Sequence, residues 1–223
     1  MERTETLIMP LLDIKTIDKS SFLGLWDIKR QSDELILAGD FSKEEILFFN
    51  SIKNERVKAQ KICVRMLVKE ILGYPKHIVY DKRGKPFFED KSFNISISHS
   101  KNMAGVLISK NQIPGIDIEY IDNRIEKVVD KFLGKSEQMD IVKNRLIKLI
   151  LYWNAKEVIY KVCSEKMLNF KQDIYIHPFI LKDRGHFNGI MKKSGKKEIY
   201  EINYEIMDGY TLAWCLKTSQ DDL

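Results

Sequence analysis

The stretch "PGIDIEY", residues 114–120, places two carboxylates in an otherwise apolar run. Side chains of an extended strand alternate between its two sides, so residues two apart share a face. Asp117 and Glu119 therefore share one face of the predicted strand, and isoleucines occupy the other. Two adjacent carboxylates repel each other unless something positive lies between them. The pair predicts a site for a hard divalent cation such as Mg²⁺, although a surface strand with two solvated acids explains the alternation equally well.

The composition is that of a globular protein that is large enough for one large domain or two small ones. The chain has 223 residues, of which 44% are hydrophobic and 31% are charged. No apolar run approaches the roughly 18–20 residues that span a bilayer. The first ten residues, "MERTETLIMP", lack the pattern of a secretion signal. We therefore expect a cytoplasmic protein with no membrane partner.

The cysteine content and the net charge exclude few classes of function. Cys63, Cys163 and Cys215 are far apart and form no CxxC motif, so reduced thiols are expected rather than a zinc site or disulfides. The net charge of +5 and the pI of about 8.9 favour an acidic partner or a phosphate-rich ligand. Solvated lysines give the same excess of positive charge.

Hydrophobic periodicity predicts two blocks, each with a helix followed by antiparallel strands. The first block has a helical region over residues 40–73, with a capping box from Ser42 to Glu45 and a stop at Gly73. Its strands are predicted at residues 78–81, 93–98 and 103–109. The second block has a helix over 141–162, followed by strands with a hairpin turn at Asp208 and Gly209. The prediction is an α+β fold of two similar halves, 1–112 and 113–223, each with an antiparallel sheet packed against a long helix.

The helical motif "WNAKEVIYK", residues 153–161, carries a further acid and two lysines. Trp153, Glu157 and Lys161 follow one another at i, i+4 spacing and share a helix face, and Lys156 lies adjacent. Glu157 is a candidate third metal ligand or general base, and the lysines are candidate phosphate ligands. An ordinary helix with a Glu–Lys pair and a core tryptophan gives the same pattern.

Two shorter motifs are also candidates for phosphate binding. In "RGKPFF", residues 83–88, Gly84 permits a tight turn that presents Lys85 and Pro86, although any hairpin turn has this composition. In "SISHS", residues 96–100, His99 follows a strand between two serines. A Ser-His nucleophile is disfavoured here, because adjacent strand residues point apart and the glycines of a nucleophile elbow are absent.

Read together, "RGKP", "FNISISHS", "GIDIE" and "WNAKEVIYK" closely resemble the 4′-phosphopantetheinyl transferases of the surfactin-synthetase-activating type. That family has GKP, a Ser-His-Ser strand end, a (I/V)G(I/V)D motif with an acid two residues on, and (F/W)xxKE(A/S)xxK about forty residues later. Glu157 lies forty positions after Asp117, and the matched region runs from Arg56 to Lys161. Val158 departs from the usual Ala or Ser, at a position that faces packing rather than ligand.

The resemblance implies a fold, a reaction and a partner. The family's fold is a pseudodimer of two α+β halves, with coenzyme A in the cleft between them. Its enzymes use Mg²⁺ to transfer the phosphopantetheine arm of coenzyme A to a serine of an apo acyl or peptidyl carrier protein. Adenosine 3′,5′-bisphosphate is released.

The resemblance also implies roles for individual residues. The implied metal ligands are Asp117, Glu119 and Glu157. The implied catalytic residues are Glu157, Lys161 and Asp117. The implied coenzyme A contacts are Arg56, Lys85, Pro86, Ser98, His99, Lys156 and Lys161. Lys29 and Arg30 are candidates for contacts to the 3′-phosphate.

The reaction needs a base and a way to stabilise charge on the leaving oxygen. Glu157, directly or through a metal-bound water, is the first candidate to deprotonate the carrier serine. If Glu157 is fully occupied as a metal ligand, Lys161 or a water held by Asp117 takes its place. Lys161 and the metal are expected to stabilise the leaving oxygen.

The implied carrier proteins are typically acidic around their serine, so a positive net charge would speed encounter. The segment 131–148, "KFLGKSEQMDIVKNRLIK", has the basic and apolar mixture of a docking surface. An amphipathic helix that covers the core explains its apolar residues equally well. Two internal halves make a monomer the natural expectation.

Two other classes of function remain at the level of the sequence. A non-catalytic basic module that binds RNA or another phosphate-rich ligand would show an RNP-type run, which is absent, so no nucleic-acid partner is expected. Another Mg²⁺-dependent phosphotransferase would ordinarily show a P-loop or a denser acidic cluster.

Overall fold

A computed structural model describes residues 11–28, 31–141, 144–163 and 167–218 of the chain. Within these ranges the protein combines six α-helices with antiparallel sheets, which confirms the predicted α+β class. The helices are α1 (Ser32–Ala38), α2 (Lys43–Ser51), α3 (Glu55–Leu72), α4 (Val129–Phe132), α5 (Lys135–Met139) and α6 (Arg145–Val162). A 3-10 helix, Asn123–Val128, precedes α4.

The strands form two larger sheets and one short hairpin. They are β1 (Leu11–Asp18), β2 (Ser21–Asp27), β3 (Ile78–Tyr80), β4 (Pro86–Phe88), β5 (Asn94–Ser100), β6 (Met103–Ser109), β7 (Gln112–Tyr120), β8 (Ile174–Ile176), β9 (Arg184–Lys193), β10 (Lys196–Met207) and β11 (Tyr210–Thr218). In the described ranges the first sheet has the order β1-β2-β6-β5 and the second has the order β7-β11-β10-β9-β8. The chain passes from one sheet to the other between Ser109 and Gln112.

Each of the two larger sheets packs one face against a long helix and the other face against the other sheet. Helix α3 packs on β2 and β6, and α6 packs on β7 and β11. Between the sheets lies a separate apolar cluster of buried residues: Leu23, Leu25, Met103, Leu107, Ile116, Ile118 and Leu212. The layers therefore follow the order helix, sheet, sheet, helix.

The helices of the first half begin and end at the residues that the sequence marks. Ser42 and Glu45 form the predicted capping box of α2, and Gly73 ends α3 in the left-handed region at φ 78°. The predicted helical region is interrupted, however, because Ile52 is extended and Asn54 caps a new helix by accepting from a backbone N–H. The region 40–73 therefore holds two helices rather than one.

Most of the predicted strands are present. Strand β4 lies within residues 83–88, which were predicted as a turn, and three elements near the start of the chain were missed. Strand β6 has the predicted bounds, β5 is longer than predicted, and Gly209 at φ 71° supports the predicted hairpin turn between β10 and β11. No prediction covered α1, β1 or β2. Strand β2 carries apolar residues on both faces because it lies between α3 and the second sheet, so its sequence lacks the alternation that marks a half-buried strand.

A close approach between α6 and β7 brings the two predicted motifs together. A Cβ atom at Gly115 would lie 2.8 Å from the carbonyl oxygen of Val158 and 2.7 Å from Val162 Cγ1. Only glycine fits at this crossing, so the helix lies directly on the strand. The acids of β7 follow within four residues of the crossing and therefore face α6.

No helix in the described ranges has both the length and the apolar character needed to cross a membrane.

Candidate functional site

The first acid of β7 is buried between the strand and the long helix. Asp117 is 5% exposed, and Ile116 and Ile118 on the opposite face pack between the two sheets. The alternation of acids and isoleucines predicted this division of faces. Asp117 is therefore not a solvated surface acid, and a buried carboxylate needs partners.

Both oxygens of Asp117 accept hydrogen bonds from fixed donors. Oδ1 accepts from Ser98 Oγ at 2.9 Å and from Lys161 Nζ at 2.9 Å. Oδ2 accepts from Asn154 Nδ2 at 2.8 Å, and Asn154 Oδ1 in turn accepts from Thr211 Oγ1 at 2.6 Å. Strand β5, helix α6 and strand β11 thus all contribute to holding one carboxylate.

Glu119 and Glu157 lie close enough to Asp117 for its charge to shift their pKa values. Burial raises the pKa of Glu119, and the Asp117 charge raises it further, while hydrogen bonds from Ser100 and Trp153 lower it. Burial also raises the pKa of Glu157 to about 7; Asp117 and Glu119 add to the shift and Lys161 opposes it. These effects place Glu119 and Glu157 near Asp117. We call Asp117, Glu119 and Glu157 the acidic cluster, and Lys161 provides its positive charge.

The α6 side of the cluster is the helix face that the i, i+4 spacing predicted. Trp153, Glu157 and Lys161 lie on successive turns, and each interacts with an acid of β7. Lys161 Nζ also donates to the carbonyl oxygen of Ile116 at 2.7 Å. The strand motif and the helix motif therefore meet in space, as the hypothesis of a shared site required.

Lys156 lies on a different face of α6 and does not reach the acidic cluster. It is fully buried, and its Nζ donates to Glu137 Oε2 at 2.9 Å. The carbonyl oxygens of Phe132, Phe170 and Ile174 also lie within 2.7–2.9 Å of this nitrogen, so its three hydrogens are shared among four acceptors. One residue advances a helix by about 100°, so Lys156 points away from the side that Glu157 presents. The structure thus places Lys156 in a packing role and not beside the other implied ligands of coenzyme A.

His99 lies in β5, within electrostatic reach of Lys61, Lys161 and Asp117. Partial desolvation of its ring lowers the pKa of His99, although the residue keeps an exposed side; a backbone hydrogen bond and Asp117 oppose this shift, and the charges of Lys61 and Lys161 add to it. Lys61 Nζ lies 3.9 Å from the ring centroid of Tyr80, and Tyr80 pairs with Pro86 between β3 and β4. Within the described ranges, Lys61 of α3 and Lys161 of α6 are therefore the two lysines whose charges reach His99.

Arg56 and Lys85 make hydrogen bonds outside the acidic cluster. Arg56 Nε donates to the carbonyl oxygen of Lys101 at 3.3 Å, just beyond the end of β5. The backbone N–H of Lys85 donates to Asp81 Oδ1 at 2.9 Å, which fixes the turn while the lysine side chain stays exposed. In the described part of the chain neither side chain is seen to contact the acidic cluster. Lys29 and Arg30, the candidates for the 3′-phosphate, lie outside the described residues.

Several residues of the site were missed by the reasoning from sequence. Ser100 donates to Glu119, and the period-2 repeat of serines along β5 is a signal that could have found it. Lys61 was also missed, because its spacing from the other candidate residues matches no motif. Thr211 reaches the site through Asn154 only because β11 pairs with β7, which the sequence does not reveal.

The acidic cluster has the donor chemistry of an open magnesium site rather than that of a closed protein cage. Within the described ranges no three His, Cys, Asp or Glu side chains are grouped tightly enough to form a preformed metal site. Mg²⁺ commonly takes one or two protein carboxylates and completes its shell with water and phosphate oxygens. Asp117, Glu119 and Glu157 offer only such hard oxygen ligands, and a cation would relieve the repulsion that raises the pKa values of the two glutamates. The chemistry of these three side chains is therefore of the kind that Mg²⁺ takes.

A groove of about 530 Å³ lies elsewhere, between α2, α3 and β3. Arg65 and Phe48 line it, and the acidic cluster does not. We assign the candidate site to the cluster because its charged groups converge and because two of them, Glu119 and Glu157, have raised pKa values, which are features of reactive sites.

No family model matches the chain, and a search of curated proteins found no match.

Replacing Lys156 with methionine should destabilise the protein by about 3–5 kcal/mol, because Glu137 would be left as a buried unpaired charge. Urea unfolding measures this loss. Lys131→Met, at an exposed position, is the control and should change the free energy of unfolding by less than about 0.5 kcal/mol. Equal stability of the two variants would contradict the packing role of Lys156.

Glu157 should make the protein less stable as the pH rises from 4.5 to 7. Its pKa is about 7 in the folded protein, against an ordinary value of 4.5. In this window the folded state binds a proton that the unfolded state has lost, so the free energy of unfolding falls by at most about 1.4 kcal/mol per pH unit from this group. Glu157→Gln should remove that slope in urea unfolding at a series of pH values.

Glu201→Gln is the control for this pH series, because Glu201 is an exposed carboxylate on β10. It should leave the slope unchanged. A Glu157→Gln variant with the slope of the parent protein would place Glu157 in water, outside the acidic cluster.

Proposed function

We propose that the protein transfers the 4′-phosphopantetheine arm of coenzyme A to a serine of an apo acyl or peptidyl carrier protein. The observation that carries the proposal is the convergence of two distant motifs, in which Lys161 of α6 contacts Asp117 of β7 at 2.9 Å. Glu119 and Glu157 complete the cluster from the same strand and the same helix. This is the set of residues that the resemblance implies for the metal and the pyrophosphate.

The residues of the cluster would hold Mg²⁺ and the pyrophosphate of coenzyme A. Bound Mg²⁺ would supply a positive charge that stabilises the leaving phosphate oxygen. Asp117 is fixed by three donors and is therefore oriented in advance, which is the condition for electrostatic catalysis. Lys161, Lys61 and His99 would line the path of the phosphates.

Glu157 is the best placed base for the serine of the carrier. Both oxygens of Asp117 already accept hydrogen bonds, and Glu119 accepts one from Ser100, so Glu157 is the first candidate in the cluster to accept a proton. The carboxylate would take the proton of the serine hydroxyl as the serine oxygen bonds to phosphorus and the bond to the leaving phosphate breaks. Lys161 is a poorer base, because its ammonium donates to Asp117 and to the carbonyl of Ile116.

The arrangement of the layers supports a pseudodimer of two halves. Each of the two larger sheets has one long helix on its outer face, and β5 of the first sheet lies against β7 of the second. The acidic cluster lies at this contact, which is where the family is expected to hold coenzyme A. We propose that the halves, 1–112 and 113–223, share the ligand between them and act as a monomer.

A basic surface beside the cluster is suited to an acidic carrier protein. Lys127, Lys131 and Lys135 are exposed along the segment from the 3-10 helix to α5. Arg145, at the start of α6, is also exposed and is paired with Glu126 at 3.6 Å. The surface is close to the site, because the ring of Phe132 in α4 contacts the ring of Trp153 at 5.3 Å.

The segment 131–148 combines a basic outside with an apolar inside. Phe132 and Leu133 are buried in the core, so the segment also covers the core as the alternative interpretation predicted. Lys148 does not belong to the basic surface, because it is buried and its Nζ donates to Asp140 Oδ2 at 2.9 Å.

Incubation of the protein with Mg²⁺, coenzyme A and an apo carrier protein should add one phosphopantetheine arm, a mass gain of about 340 Da by intact mass spectrometry. Asp117→Ala should lower the rate at least about 100-fold, because the cluster loses its fixed ligand. Glu201→Gln is the control and should keep the parent rate. Absence of the mass gain with fatty-acid, polyketide and peptide carriers, from folded protein, would refute the transferase.

Reversing charge on the basic surface should weaken carrier binding without affecting coenzyme A. The double variant Lys131→Glu and Lys135→Glu should raise KM for the carrier about tenfold at low salt, and the effect should shrink at high salt because these charges are exposed. KM for coenzyme A should stay constant in the same steady-state assay. The double variant Lys192→Glu and Lys197→Glu, at two exposed positions on β9 and β10, changes the net charge by the same amount and is the control. An equal rise for the control would mean that net charge alone steers the carrier.

A further inference from the structure

Three serines of β5 join the edge of the first sheet to the edge of the second. The strands β5 and β7 lie side by side without a backbone ladder between them, and serine hydroxyls bridge the gap. Each hydroxyl oxygen accepts a hydrogen bond from a backbone N–H of β7. The pairs are Ile116 N–H to Ser96 at 3.1 Å, Ile118 N–H to Ser98 at 3.1 Å and Tyr120 N–H to Ser100 at 3.0 Å.

The same hydroxyls also donate, and two of them donate to the acids. A serine hydroxyl has one hydrogen to give. Ser98 Oγ donates to Asp117 Oδ1 at 2.9 Å, and Ser100 Oγ donates to Glu119 Oε2 at 3.0 Å. In each case the serine accepts from one residue of β7 and donates to the acid just before it.

Ser96 follows the same rule at a position that has no acid. Its hydroxyl accepts from the N–H of Ile116, and the residue just before Ile116 is Gly115, which has no side chain. In the described part of the chain Ser96 therefore has the bridging role of the other two serines but no carboxylate to orient. Ser96 can therefore serve as the control for Ser98 and Ser100 in experiments.

We propose that Ser98 and Ser100 are positioning residues of the acidic site, which aim the carboxylates of Asp117 and Glu119 while they join the two sheets. The orientation of the acids follows from the hydrogen bonds alone, and its importance for catalysis rests on the proposed function. Because the donors come from one sheet and the acids from the other, the alignment of the two sheets sets the geometry of the site.

This role differs from a direct contact between Ser98 and coenzyme A. The one hydrogen of Ser98 is directed at Asp117, and the side chain is buried at 8% exposure. Ser98 thus acts on the bound substrate through Asp117. Loss of its hydroxyl should lower kcat rather than weaken the binding of coenzyme A.

A double-mutant cycle in thermal unfolding tests the orientation without any need for activity. Ser98→Ala should lower Tm by about 2–6 °C in the parent protein and by clearly less in an Asp117→Ala background, since a hydrogen bond to a charged group is then already lost. Ser96→Ala should lower Tm by the same amount in both backgrounds. If Ser98→Ala, like Ser96→Ala, lowered Tm by the same amount in both backgrounds, the proposal would be overturned.

The same cycle can be built at the second acid if Asp117→Ala does not fold. Ser100→Ala should then lower Tm less in a Glu119→Ala background than in the parent protein. Additive losses at Glu119 would overturn the proposal for Ser100.

Transfer kinetics test the consequence for catalysis. Ser98→Ala should lower kcat about tenfold or more with KM for coenzyme A unchanged, and Ser98→Thr, which retains the hydroxyl, should restore part of the rate. Ser96→Ala should keep the parent kcat. A raised KM with unchanged kcat would instead make Ser98 a direct contact and overturn its positioning role. If the parent protein transfers nothing, the proposed function fails, and the unfolding cycle still decides whether the serines orient the acids.

Discussion

The buried carboxylate of Asp117 is the constraint on which the arrangement of the two sheets and the long helix depends. A charge at 5% exposure is tolerated only when several donors surround it. Ser98 approaches from the first sheet, and Asn154 and Lys161 approach from α6. Any shift of the helix or of either sheet would break one of these bonds. The geometry of the candidate site therefore depends on the packing of the two sheets and α6.

A second buried charge separates the faces of α6 into two different tasks. Lys156 binds Glu137 and the carbonyls around it, which ties α4, α5 and β8 to the helix. Glu157, the next residue, faces the acids of β7 instead. One helix thus anchors the segment that carries the basic surface and also presents the candidate base. Trp153 contacts both regions, because its ring packs against Phe132 of α4 and its side chain forms a hydrogen bond with Glu119 of β7.

The sequence predicted the individual helices, strands and turns better than the tertiary contacts between them. Capping residues, the glycine stop of α3 and the hairpin turn at Gly209 are local signals, and each was confirmed. The strand β2 escaped prediction because it is buried on both faces by layers that are distant in sequence. Lys156 shows the limit of a motif. Its neighbour Glu157 joins the acidic cluster, whereas the direction of Lys156 depends on a buried acid that the motif does not contain.

By itself, the sequence determined that "PGIDIEY" forms a strand with two acids on one face, because alternation along a strand is a local property. It also determined that Trp153, Glu157 and Lys161 share a helix face, because the spacing fixes the direction of side chains. Only the tertiary structure decided that these faces meet and that Asp117 is buried. Only the tertiary structure decided that Ser98 and Ser100 bond to the acids. Those contacts join residues from separate sheets and a distant helix, and no local pattern encodes their distance.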